Sequence, residues 1–199
     1  MGNAFGKLIT WVIVGLAFVA IVAGITFLKQ QSDDAKAELP PTQTVIDEES
    51  GITWAMHGKP KQTAGTSTIG KGTGPGSEID VRTYTVDHGD WVERVKIYDV
   101  PPSEIDFAPA MLSTFGADPT GKVGKVDYVQ VDGFNAASAL APGQLSADGR
   151  KEAVSARVFA TQMHNYMVSG GVAVRRDQGS GDIDLDAQET QLRDSMHEA

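Results

Sequence analysis

The chain changes its hydrophobic pattern once, near residue 44. Before that point, Leu8 to Leu28 reads LITWVIVGLAFVAIVAGITFL, an apolar run without charge or proline. At about 1.5 Å of rise per helical residue, it matches a hydrocarbon core of roughly 30 Å. A cleaved signal peptide is the competing reading, but its apolar region is about 7–15 residues long. The triplet Ala35-Lys36-Ala37 that could imitate a cleavage site lies beyond Lys29, Asp33 and Asp34. The pattern therefore predicts an uncleaved transmembrane helix over 8–28, a head over 1–7 and a polar tether over 29–43. Lys7 on one side and Lys29 and Lys36 on the other nearly balance, so orientation rests on the short head and large tail. These favour a cytoplasmic N-terminus and a domain over 44–199 outside the cytoplasm.

From Thr44 onward the hydrophobic period becomes two. In GITWAMH, Ile52, Trp54 and Met56 alternate with Thr53, Ala55 and His57, as in a half-buried strand. IDVRTYTV and WVERVKIYDV follow, joined by His88-Gly89-Asp90. In the second of these, Trp91, Val95 and Ile97 share one face, and Val92, Arg94, Lys96 and Tyr98 the other. KVDYVQV, a weaker run around Phe134 to Leu140, EAVSARVFAT and YMVSGGVAV also read as strands, the last two paired across Met163–Asn165. A short helix is predicted from Phe107 to Phe115, capped by Asp106 and stopped by Gly116. The tail IDLDAQETQLRDSMHEA reads as a second helix with Leu185, Leu192 and Met196 on one face. The sum predicts an α+β domain, an antiparallel sheet with helices packed on it.

Charge narrows the partners. The chain has 17 basic and 26 acidic residues, a net charge of -9, and no cysteine. Disulfides, thiolate metal sites and a cysteine nucleophile are excluded. No basic stripe offsets the acidity, so neither nucleic acid nor an anionic headgroup is an expected partner.

The residues offer little chemistry. Gly65, Gly70, Lys71 and Thr73 in GTSTIGKGTGPG approach the spacing of a phosphate-binding loop. Gly72 stands where the magnesium-binding hydroxyl belongs, however, and Gly74-Pro75-Gly76 opposes the helix that such a loop needs. No nucleotide is expected, and the stretch reads as a hairpin connection. His57, His88, His164 and His197 are scattered singly, without a metal-ligand spacing. Asp177, Asp182, Asp184 and Asp186 do not fit an EF-hand loop. Trp54, Trp91, Tyr98 and Tyr128 read as core or sheet-face residues. No catalytic, metal or cofactor residues are assigned. In the apolar run, Gly15, Ala20 and Gly24 form a small-residue face suited to docking against another helix in lipid.

The segments SGITWAMHGKPKQ, WVERVKIYDVPP, the helix ending in TFGAD, ARVFATQMHNYMVSGG and the terminal LRDSMHEA occur in an order that resembles PsbP-like domains. Met56-His57 departs from that family's pattern. The resemblance implies an α-β-α sandwich used as an accessory, assembly or binding module, similar to those on actinobacterial exported proteins. It leads to the expectation of a non-catalytic accessory subunit of an integral membrane complex, with a respiratory cytochrome bcc–oxidase supercomplex as candidate. The alternative is an anchored carrier of a lipid or small molecule in the cell envelope.

Overall fold

The hydrophobic alternation that marks the central strands carries over into the structure, and Asp184 caps the second helix. The computed structural model describes residues 39–67, 78–100, 107–118, 121–147, 150–175 and 183–199. All of these except Leu39 belong to one unit, Pro40–Ala199. The elements are β1 (Thr42–Ile46), β2 (Ile52–His57), β3 (Lys61–Ser67), β4 (Ile79–Asp87) and β5 (Trp91–Asp99), followed by α1 (Phe107–Thr114). Then come β6 (Val126–Val131), β7 (Phe134–Ala147), β8 (Arg150–Met163), β9 (Tyr166–Arg175), α2 (Leu185–Asp194) and β10 (His197–Glu198). Seven strands form one antiparallel sheet in the order β3-β4-β5-β9-β8-β7-β6, and three form a second in the order β1-β2-β10.

The hairpins β4–β5 and β8–β9 form as the sequence predicts, the second closing with Met163 opposite Tyr166. The predicted α+β sandwich does not form. Strand occupies 61% of the described residues, and the two helices are only eight and ten residues long. The sequence pattern placed the strands in a single sheet. Instead β1, β2 and β10 form a second sheet, which stands where a helical layer was expected. The terminal helix is also shorter than predicted. After Asp194 the chain straightens, and His197 and Glu198 pair with Thr53 and Ile52.

Each face of the large sheet carries its own core. On one face α1 buries Ala110, Met111 and Leu112 against Ala137, Ala139, Ala156 and Ala160, whose small side chains admit a closely packed helix. On the other, Ile52, Trp54 and Met56 of β2, with Leu192 and Met196, cover Tyr84, Ile97 and Phe159. Trp54 meets Tyr84 edge to face, with ring centroids 4.9 Å apart. Trp54, Trp91 and Tyr98 are buried as expected. Tyr128 stands instead on the open face of the edge strand β6, 87% exposed.

Two local devices make this packing possible. Gly116, with φ of 70°, ends α1 in the left-handed conformation predicted for it. Pro142 lies within β7, but past Ala139, where the pairing with β6 stops, so no neighbouring strand requires its missing N–H. Among the described residues no helix is long and apolar enough to cross a membrane. The run over 8–28, with Gly15, Ala20 and Gly24, lies outside the described residues, as do Asp106, Gly70, Lys71 and Thr73.

A β-carbon on Gly143 would lie 2.7 Å from both Phe115 Cβ and Val154 Cγ2. Gly143→Ala is predicted to destabilise the domain by about 1–3 kcal/mol, read as a lower urea midpoint. An unchanged midpoint would refute the close packing of α1 on β7 and β8.

Candidate functional site

The turn between β1 and β2 is built around a buried carboxylate. Asp47 is 0% exposed, and its backbone closes the turn by bonding with Ile52 and Gly51. Its Oδ1 accepts from the amide and the hydroxyl of Ser50, both at 2.9 Å. Its Oδ2 accepts from Arg82 Nε and the Tyr84 hydroxyl of β4, both at 2.7 Å. Burial pushes the Asp47 carboxyl up, but the bonds from Arg82, Tyr84 and Ser50 outweigh it and hold the group below the usual carboxylate range. Arg82 also reaches Glu49 with Nη1 at 2.8 Å, and its guanidinium carbon stands 5.7 Å from the Tyr166 ring centroid. Its Nη2 is buried and has no hydrogen-bond partner among the described residues.

Beside this cluster lie two adjoining clefts of about 370 and 440 Å³, which share Glu49 and Arg82. Ala64 and Thr66 of β3, with Asp80 and Arg82 of β4, make the floor of one. Ile46, Glu48 and Glu49 wall the other. Four carboxylates and one guanidinium line the combined groove, an excess of three negative charges. Its outer border is β3, a strand with no buried residue that pairs only with β4 among the described strands.

A second polar cluster was not legible in the spacing of the histidines. His57 at the end of β2 and His88 in the β4–β5 turn converge on Glu93 of β5. Glu93 accepts from the His57 amide at 2.8 Å, and its Oε1 lies 2.6 Å from His57 Nδ1. His88 Nε2 is 3.7 Å from the same carboxylate, beyond hydrogen-bond distance, and its ring stacks on Trp91 with centroids 3.9 Å apart. Burial lowers the His88 pKa, against the opposing pull of Glu93. Glu93 is 1% exposed, and the cluster opens into neither cleft. Its chemistry is structural: it fastens the end of β2 to β5.

The other predicted positions are separate. His164, at a left-handed turn position, pairs with Glu198 at 2.9 Å, while His197 is exposed. Asp184 caps α2, accepting from the amides of Asp186 and Ala187. Asp186 pairs with Arg157, and Asp177 and Asp182 lie outside the described residues. Among the described residues, no group of three or more His, Asp or Glu side chains is arranged to hold a metal ion. No family model, no curated protein and no solved structure matches the chain. Nothing in these comparisons identifies a PsbP-like domain, and the α-β-α sandwich that the resemblance implies does not form.

Asp47→Ala leaves Arg82 buried without its main partner and is predicted to cost about 3–5 kcal/mol, measured by urea denaturation. The lowered His88 pKa gives stability that is full above about pH 6.5. It is lost as the pH falls through the folded value, because the unfolded chain takes up the proton first. Denaturation at pH 7.5 and pH 5.5 should show that loss in the wild type and a smaller one in His88→Phe, which keeps the stacking on Trp91. Equal losses would remove His88 from the account.

Proposed function

We propose that this chain is a non-catalytic accessory subunit whose folded domain docks a basic, extended segment of a membrane-complex partner. The observation that carries the reading is the groove beside β3: an excess of three negative charges next to a strand edge that no other described strand than β4 shares. An edge strand offers backbone N–H and C=O groups to an added strand, and the carboxylates select lysine or arginine along it. Ile46, 56% exposed on the rim, offers an apolar contact to the same segment. The apolar run over 8–28 would hold the domain at the bilayer, where the linked groove acts at raised effective concentration. A respiratory cytochrome bcc–oxidase assembly is the partner class to test first.

The non-catalytic reading is supported by the way the ionisable groups are used. Asp47, Arg82, Glu93 and His57 are committed to contacts between strands. The carrier alternative calls for an apolar cavity, whereas the first cleft is lined mostly by charged and polar side chains, and in the second Ala64, Gly65 and Val81 stand among Glu49, Thr66, Asp80 and Arg82.

The test is mild-detergent purification of the tagged full-length chain, with quantitative mass spectrometry and a haem spectrum of the eluate. The wild type is expected to bring down a partner in stoichiometric amount. Glu48→Lys with Glu49→Lys should reduce that recovery at least about tenfold, and raised salt should release the partner. Equal recovery by the charge-reversed chain would rule out the groove as the docking site.

A further inference from the structure

The opposite face of the same strands carries the reverse charge. On β5, Arg94 and Lys96 lie between Val92 and Tyr98 on the face that α1 covers. The last turn of α1 meets them. Arg94 Nη1 donates to the Thr114 carbonyl at 3.2 Å and Lys96 Nζ to the Ser113 carbonyl at 2.6 Å. Arg94 Nε donates to Thr85 Oγ1 at 3.1 Å, and its guanidinium carbon stands 5.4 Å from the Phe115 ring centroid. The register sets Thr83 opposite Lys96, Thr85 opposite Arg94, and Lys61 of the edge strand opposite Thr85. Directly opposed residues share a face, so three cations and two hydroxyls border one half-buried shelf.

Capping the helix accounts for only part of this charge. A helix C-terminus presents about half a negative charge, and two full positive charges meet it here. Among the described residues, neither Arg94 nor Lys96 forms an ion pair with a carboxylate. Asp87, held by Arg175 at 2.7 Å, acts on Arg94 only from a distance. Burial, and then the neighbouring Arg94, lower the Lys96 pKa to about 8. In a chain of net charge -9, two adjacent cations with no carboxylate partner among the described residues are positioned for an anion from outside.

We propose that the Arg94–Lys96 shelf binds an oxyanion of the phosphate class, its oxygens bridging the guanidinium and the ammonium, with the Thr83 and Thr85 hydroxyls alongside. A guanidinium fork pairs with two oxygens of such a group, and the ammonium takes a third. Free phosphate and the phosphodiester of an anionic lipid headgroup share this chemistry. The shelf and the acidic groove use opposite faces of β3 and β4, so one can fail without the other.

The experiment measures thermal midpoints of the full-length chain in neutral detergent. Inorganic phosphate is compared with sodium chloride at matched ionic strength. Phosphate should raise the midpoint progressively, as a ligand of the folded state does, and Arg94→Gln should weaken the apparent affinity at least about tenfold. Wild-type affinity should fall between pH 7 and pH 9 as Lys96 loses its proton, and Lys96→Arg should keep it. A second arm replaces phosphatidylcholine by phosphatidylglycerol in mixed micelles. A response to phosphate alone assigns a free oxyanion, and a response to both extends the site to a phosphodiester headgroup. Equal midpoints in phosphate and chloride, with no response to phosphatidylglycerol, would overturn the proposal. So would a phosphate effect that Arg94→Gln leaves intact. If Arg94→Gln does not fold, the pH profiles decide: a wild-type affinity that is flat across pH 8 rejects the site.

Discussion

Asp47 reaches from the β1–β2 turn to Arg82 and Tyr84 on β4, and its carboxylate has no exposed surface. Removing a carboxylate from water costs several kcal/mol, which only a close counter-charge and a full set of hydrogen bonds can offset. Two donors from the turn and two from β4 meet that requirement. A shift of either partner would leave buried charges unmatched, so the small sheet is held against the large one in a single position. The His57–Glu93 contact makes a second fastening at the other end of β2. Between the two, Trp54 packs on Tyr84 and fills the space with apolar surface.

The acidic groove follows from this attachment. With Asp47 turned inward, Glu48 and Glu49 on the same turn are exposed. They form a wall beside β3 and β4 that neither the small sheet nor α2 covers. This end of the large sheet then has two chemically opposite faces, one lined by carboxylates and one, beside the last turn of α1, holding Arg94 and Lys96.

Much of the strand pattern was legible because it is local. IDVRTYTV and WVERVKIYDV alternate cleanly around His88-Gly89-Asp90, and that hairpin forms. β1 was missed because Thr42, Gln43 and Thr44 are exposed and carry no hydrophobic alternation, so they merged with the tether. The far half of β7 was missed because Pro142 and Gly143 ordinarily argue against a strand. Here Pro142 lies beyond β6, and Gly143 makes room for Phe115. The second sheet was illegible, since nothing in ITWAMH says which neighbour it pairs with. The polar clusters join residues about 35 positions apart in sequence, beyond any spacing rule. One signal was available: Glu93 falls on the face that Trp91, Val95 and Ile97 assign to the core, and a charge there demands a buried partner. Arg82, on the face of Tyr84 and Val86, carries the same message.

Everything above points to one proposal, that a partner binds in the groove over β3 and β4. Site-specific photo-crosslinking in intact membranes tests it most directly, with the reactive side chain placed at Ala64 on the groove floor or at Tyr128 on the far edge of the sheet. Binding in the groove should give one dominant adduct from position 64, mapping to a lysine- or arginine-rich segment of a membrane protein and lost when Glu48 and Glu49 are reversed in charge. Position 128 should give no such adduct. The same adducts from both positions, or an adduct at 64 indifferent to that reversal, would contradict it.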